Sequence, residues 1–323
     1  MVGKIKCLFF LMFKTPQFWN TNSWQSYALL PFSFLFVFAS FVRRLFMKPQ
    51  KVEGKFVICV GNITVGGTGK TPVAIALCKE LKKHHTVCFL TKGYRRNTKG
   101  FICMSDQMMP LQTGDEPRLL FEHAPVYLYS NAKEVFENIF KIKQKVIIMD
   151  DGLQNLGIIK DFSILVIGEN GFGNGKIFPS GSLREYPVKV MNSIHYIICM
   201  TNQLKERFAI KSCFPIKHYR ASLESQKVVA FSGIGNNAKF LQSLTEKSFD
   251  VIKFFEFPDH HFFSRKEIEE IVSYAKELGV KIITTEKDYV RLSNEYKRKI
   301  HILKMEVILD EELINTILQR ISN

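Results

Sequence analysis

The chain has 323 residues, 46% of them hydrophobic, and a formal charge of +15, a balance that suits nucleic acid, an anionic membrane face or a phosphorylated substrate. That length holds one large α/β domain or two modest ones with a real core, and the ordinary Gly and Pro content excludes wholesale disorder. The seven cysteines form no CxxC pair and are odd in number, so they read as free thiols of a reducing compartment, not a disulfide, zinc or iron–sulfur framework.

The N-terminal region is rich in Phe. Tyr27–Val42 reads YALLPFSFLFVFASFV, uncharged throughout and followed at once by Arg43 and Arg44. It falls short of the ~20 residues that a spanning helix needs, and Pro31 either breaks or begins a helix. An earlier run, Cys7–Phe13, is flanked by Lys4, Lys6 and Lys14, with Phe18, Trp19 and Trp24 following. Rings beside cations and short apolar runs are what an interfacial helix needs. Residues 1–45 are therefore expected to meet an anionic membrane surface; a buried helix pair or an uncleaved short span are the alternatives. No small-x-small site follows the first apolar run, which argues against a secretory signal.

The stretch Arg43–Lys55, basic and punctuated by Pro49 and Gly54, leads to the globular body. Phe56–Val60 is a buried strand by length, Pro72–Lys83 has helical periodicity, and Val87–Leu90 is a second strand. Val146–Met149, Ile164–Ile167 and Ile194–Cys199 continue the apolar runs expected where both faces of a sheet are covered. Val228–Phe231, Val251–Phe254 and Lys281–Thr284 add strands, with helices over Arg265–Leu278 and Glu311–Ile321. The alternation predicts a layered, mostly parallel α/β sheet. A boundary is expected between about 200 and 225, where the periodicity weakens.

The strongest local signal is Gly61–Thr71, GNITVGGTGKT, directly after the first strand. Thr64 stands where a strict Walker A spacing wants Gly, yet the physics survives. Gly66, Gly67, Thr68 and Gly69 allow an amide-lined turn around phosphates at a helix N-terminus. Lys70 would reach the β and γ oxygens, Thr71 would hold Mg²⁺, and Pro72 suits an early helical position. Val146–Gly152, VIIMDDG, places acids at a strand's C-terminal end. Consecutive strand residues face opposite ways, so Asp150 and Asp151 can both serve the nucleotide only if one sits in a turn.

Taken together, the chain resembles tetraacyldisaccharide 4'-kinase, the lipid A kinase of Gram-negative bacteria. The motifs are Val60–Pro72 (VGNITVGGTGKTP), Thr91–Arg96 (TKGYRR), Gly114–Pro117 (GDEP), Asp150–Asn155 (DDGLQN), Pro179–Glu185 (PSGSLRE), Ala230–Gly235 (AFSGIG), Phe257–His261 (FPDHH) and Thr285–Asp288 (TEKD), in family order. The resemblance implies ATP- and Mg²⁺-dependent phosphorylation of the 4'-hydroxyl of a tetraacylated glucosamine disaccharide 1-phosphate at the cytoplasmic face of the bacterial inner membrane. It implies a P-loop NTPase-like core over 46–215, a smaller α/β lobe over 216–323 and an N-terminal membrane-associated helical segment over 1–45. With no zinc pattern or recognition helix in the sequence, no nucleic acid is expected as a partner, nor is an obligate protein partner.

By the same resemblance Lys70 and Thr71 take phosphate and metal, and Asp150 and Asp151 are the acidic pair. Asp115 of GDEP is the acceptor-activating base and His260 its partner, both placed after strands. Gln154, Asn155, Arg184 and Glu185 lie near acceptor or phosphates. A carboxylate within hydrogen-bond reach is what a poorly nucleophilic sugar hydroxyl requires. Three positions depart from the family pattern: Asn155 replaces a histidine; Lys92 an arginine, with Arg95 replacing the second glycine of that segment; and Lys133 only approximates another arginine. A different P-loop enzyme, a nucleotide-regulated membrane adaptor and a nucleic-acid binder are the competing functions.

Overall fold

The computed structural model describes residues 16–94, 96–200, 212–213, 215–221, 223 and 227–323. The run Cys7–Phe13 with its flanking lysines, Arg95, and most of the expected 200–225 boundary lie outside the described residues. The chain divides into two units, one of 217–306 and one of 16–216 with 307–323.

In the larger unit a sheet of eight strands forms: β1 (Phe56–Gly61), β2 (Val87–Thr91), β3 (Ile102–Cys103), β4 (Val126–Leu128), β5 (Val146–Asp150), β6 (Phe162–Ile167), β7 (Tyr196–Cys199) and β8 (Ser212–Cys213). Its order is β3-β4-β2-β5-β1-β6-β7-β8, and only the β3–β4 pair is antiparallel. The central strands are buried along their length because helices cover both faces, which is why they read as unbroken apolar runs. β1 lies between β5 and β6, with Val60 opposite Asp150, so the loop after β1 and the acids ending β5 emerge side by side.

The smaller unit's sheet runs β11-β10-β12-β13-β9, from β9 (Ile216–Ala221), β10 (Lys227–Ser232), β11 (Asp250–Glu256), β12 (Lys281–Thr285) and β13 (Ile300–Ile308). Along β10, Val229 and Phe231 pack with Ile268, Ile271 and Ala275 of helix Arg265–Glu277, while Val228 and Ala230 pack with Phe240 and Leu244 of helix Asn237–Glu246. Ser264 and Glu267 close a capping box that starts the first of these helices where the sequence places it.

Two expectations change, and an alternative at Pro31 is resolved. Helix Glu311–Ser322, expected in the smaller lobe, belongs to the larger unit, where it packs on helix Lys70–Leu81. Its apolar stripe of Leu313, Ile314, Ile317 and Ile321 helps cover helix Lys70–Leu81, which buries Val73, Ala74, Ala76, Leu77, Cys78 and Leu81. Asp115 follows the helical turn Pro110–Thr113 instead of a strand, and opens helix Asp115–Phe121. The N-terminal apolar run becomes helix Leu30–Leu45, with Pro31 in its first turn and Arg43 and Arg44 in its last. Among the described residues no helix is long and apolar enough to cross a membrane.

Candidate active site

The glycine loop after β1 is held from both sides. Gly69 caps the helix Lys70–Leu81 at φ 88°, a left-handed conformation open to glycine, and a Cβ there would lie 2.9 Å from Met200 Cε. Asn62 Nδ2 donates to Thr68 Oγ1 at 3.1 Å, Val65 N–H donates to the Ser182 carbonyl at 2.7 Å, and Arg184 N–H donates to the Ile63 carbonyl at 2.7 Å. The PSGSLRE segment is thus a strap over the loop.

β5 ends at Asp150, and Asp151 turns at φ 56°, so both acids face the loop. Thr71 Oγ1 donates to Asp150 Oδ2 at 3.1 Å, while Asp151 lies 3.8 Å from Lys70 Nζ and 3.2 Å from Arg184 Nη1. Burial pushes the Asp150 carboxyl up to about 7; Lys70 and the Thr71 hydroxyl oppose the rise, and Asp151 and Glu116 add to it. Two side-chain oxygens at this point, Asp150 Oδ1 and Asn62 Oδ1, are buried without a hydrogen-bond partner among the described residues. An acid that is buried, half-satisfied and hard to ionise beside a threonine hydroxyl fits a divalent cation.

GDEP builds the other wall. Gly114 has φ 91°, and a Cβ on it would lie 2.7 Å from the Tyr94 carbonyl, so glycine is needed where TKGYRR crosses the start of helix Asp115–Phe121. Asp115 is 5% exposed, not the exposed loop acid that its neighbourhood of charges and Pro117 suggests. Glu116 goes unmarked in the sequence: its charge reaches Asp150, yet of the two acids in GDEP the resemblance assigns a role only to the first.

The remaining candidates separate by what they touch. Gln154 Nε2 donates to the Asn62 carbonyl at 2.9 Å, and its Oε1 accepts from Arg184 Nη1 at 3.2 Å. Glu185 takes an ion pair from Arg44, and Arg43 Nη2 donates to the Gln154 carbonyl at 3.1 Å. Lys92 joins this charged group: desolvation, Arg43 and Arg184 hold its ammonium below the usual lysine range, against Asp151. Asn155 turns inward, donating to Tyr129 Oη at 2.9 Å and accepting from Gly157 N–H at 3.1 Å, so its side chain braces the loop. Lys133 pairs with Glu137 at 3.5 Å on an exposed helix face.

In the smaller unit AFSGIG, FPDHH and TEKD converge on one peptide. Asp288 and Arg291, both with fully buried side chains, pair at 2.8 Å. Gly233 N–H donates to Asp288 Oδ1 at 3.0 Å, and the Gly233 carbonyl accepts from Arg291 Nη1 at 2.9 Å and from His260 N–H at 3.0 Å. Thr285 Oγ1 donates to the other oxygen of Asp288 at 2.6 Å. The result fixes His260 at φ 61°, with its ring 3.8 Å from the Asp259 carboxylate.

The sequence profile of the family described as tetraacyldisaccharide-1-P 4'-kinase, LpxK, matches residues 25–322. The chain belongs to this family. A tetraacyldisaccharide 4'-kinase of Chelativorans sp. is 32% identical over 315 residues, covering 92% of each chain. One from Rickettsia peacockii is 32% identical over 310 residues, covering 93% of this chain and 96% of its own. A crystal structure of "apo" form LpxK from Aquifex aeolicus in complex with ATP matches with a TM-score of 0.76 at 28% identity, over 92% of this chain and 99% of that one. Family membership selects the phosphotransferase over a different P-loop enzyme or an adaptor.

Proposed function

We propose that this chain transfers the γ-phosphate of ATP to the 4'-hydroxyl of a tetraacylated glucosamine disaccharide 1-phosphate, the activity of the family to which it belongs. The observation that carries this reading is the register of β1 on β5, which sets Lys70 and Thr71 against Asp150 and Asp151 at the mouth of a glycine loop. Lys70 binds the phosphates, with Gly66, Gly67, Thr68 and Gly69 lining them. Thr71 and Asp150, with Asp151 beside them, would hold Mg²⁺; when bound, the ion neutralises charge on the phosphates. Arg184 and Gln154 hold Asp151 in place, leaving Lys70 its orientation toward the loop.

Asp115, buried at a helix N-terminus, accepts the proton of the acceptor hydroxyl, and His260 orients it and shares the proton. This pairing rests on the resemblance. Helix Leu30–Leu45 supports a peripheral seat on the membrane. Phe34, Leu35, Phe38 and Phe41 are each more than half exposed on it, beside Trp24 and Tyr27, and Arg43, Arg44, Lys48 and Lys51 supply charge for anionic lipid. The substrate's acyl chains call for a membrane seat, and the resemblance, together with the need for ATP, assigns it to the cytoplasmic face of the inner membrane.

The test is a detergent assay with mass readout of the acceptor, comparing ATP with GTP and the disaccharide phosphate with the same lipid already phosphorylated at the 4' position. A mass gain of one phosphate on the free 4'-hydroxyl with ATP, abolished in Lys70→Ala, is expected. No transfer by the wild-type chain, or transfer unaffected by Lys70→Ala, would refute the assignment.

A further inference from the structure

Helix Leu30–Leu45 has two sides. On one, Ser33 is buried and hydrogen-bonded at 2.8 Å to both the Ile177 carbonyl and the Ser180 hydroxyl, and Phe36 and Val37 pack on the core of the larger unit. The other carries the exposed rings. Arginines in a last turn complement the helix dipole wherever their side chains point. Arginines that served only lipid headgroups would extend with the exposed rings; these two turn back onto the site. Arg44 pairs with Glu185, whose side chain is 15% exposed, and Arg43 donates to the Gln154 carbonyl.

From there the bonds are continuous. Gln154 holds the Asn62 carbonyl at the root of the phosphate loop and accepts from Arg184; Arg184 binds Asp151; Asp151 pairs with Lys70. Glu185 follows Arg184 in the strap whose backbone N–H bonds Ile63. Anchored by Ser33 at one end and by two guanidinium contacts at the other, the helix has little freedom to shift without moving the strap.

We infer that Arg43 and Arg44 are positioning residues for phosphoryl transfer, which join the seating of the apolar helix to the alignment of Asp151, Arg184 and Lys70. The inference rests on the assignment of those three residues to the phosphate site. Each arginine acts through the residue it touches: Arg43 fixes the backbone of Gln154, and Arg44 fixes Glu185.

The experiment uses full-length Arg43→Gln and Arg44→Gln, with Arg44→Lys as the charge-retaining variant. Steady-state rates are measured in mixed micelles with the acylated disaccharide phosphate and ATP. Flotation with phosphatidylglycerol–phosphatidylcholine vesicles is measured in parallel. Each Gln variant should lose about tenfold in kcat, within the range that small misplacements cause, with acceptor KM and flotation close to wild type. Combining Arg44→Gln with Glu185→Gln should lose no more than the worse single variant, because one acts through the other.

Multiplicative losses, or a wild-type kcat with impaired flotation or raised acceptor KM, would overturn the inference and make the arginines headgroup contacts. If a Gln variant unfolds, Glu185→Gln decides, because it breaks the same pair from the strap side: a kcat below wild type with normal flotation supports positioning, and full wild-type kcat overturns it. Arg44→Lys, which can keep the pair, should recover most of the wild-type kcat. Binding of a fluorescent ATP analogue needs no acceptor and should weaken several-fold in Arg43→Gln. That weakening in a chain whose wild type phosphorylates no lipid would sink the functional assignment alone; unchanged nucleotide affinity and kcat in a lipid-phosphorylating chain would sink this inference alone.

Discussion

Asp150→Asn removes a charge while keeping the shape of the side chain and an oxygen that Thr71 can still bond. Burial raises the Asp150 carboxyl from 3.8 to about 7, the opposing pull of Lys70 notwithstanding. The gap between those values is worth ~4 kcal/mol of folding free energy. Its sign follows from which state binds the proton. Below pH ~4 the group is protonated folded and unfolded, and its ionisation costs nothing. From pH ~4 to ~7 the unfolded chain ionises first, so stability falls as pH rises; above ~7 the loss is constant. The Asn variant lacks this fall. It should therefore melt above wild type at pH 8 in EDTA and converge with it near pH 4. Even a quarter of the full value moves Tm by ~2–4 °C in a unit of about this size. Saturating Mg²⁺ should raise the wild-type Tm at pH 8, raise it less at pH 5.5 where a proton must first leave, and do little for the variant. Thermal melts across pH, with and without Mg²⁺, decide the matter. A variant that melts below wild type at pH 8 in EDTA, or parallel curves at every pH, would refute the reasoning.

Asp115→Asn should lower kcat by ~10²–10⁴-fold with ATP affinity nearly intact. His260→Ala should cost as much or somewhat less, and single-turnover rates of the double variant should show little further loss; fully multiplicative losses would break the proposed unit. Phe34→Asp with Phe38→Asp places two charges on the exposed side of helix Leu30–Leu45 without touching Ser33 or the arginines. Vesicle flotation should fall at least ~10-fold while melting stays within a few degrees of wild type, and undiminished flotation would remove this helix as the seat.

Legibility tracked burial on two faces. Phe56–Val60, Val146–Met149 and Val228–Phe231 were readable as strands because helices cover both sides, so every residue is apolar. β9 and β13 escaped notice because IKHYRA and IHILKMEVI are only partly buried and carry charges among their apolar residues. That Lys70 and Thr71 would stand beside Asp150 and Asp151 was legible, since a glycine turn between strand and helix and acids ending another apolar run meet at the same edge of a parallel sheet. The turn that brings Asp151 to the same side as Asp150 was left as a condition, and its φ of 56° supplies the answer. Contacts between distant segments left no local trace: nothing in TEKD announces that Asp288 will hold the peptide beside His260, and nothing in LQN shows that Asn155 will brace Tyr129. Glu116 carries no local mark either, since GDEP sets two acids side by side and only the fold shows that the second one's charge reaches Asp150.

The return of helix Glu311–Ser322 to helix Lys70–Leu81 gives the larger unit a discontinuous chain: its last piece is translated after the whole smaller unit. During synthesis the phosphate-loop helix must wait, with apolar surface open, for about 230 residues to follow it from the ribosome, ~10–50 s at ordinary elongation rates. The helix that carries Lys70 thus lacks part of its cover until Glu311–Ser322 has been made. A fault at the extreme C-terminus, such as premature termination before Leu313, would expose that helix as a sticky surface for quality-control machinery while leaving every residue of the phosphate loop in the chain.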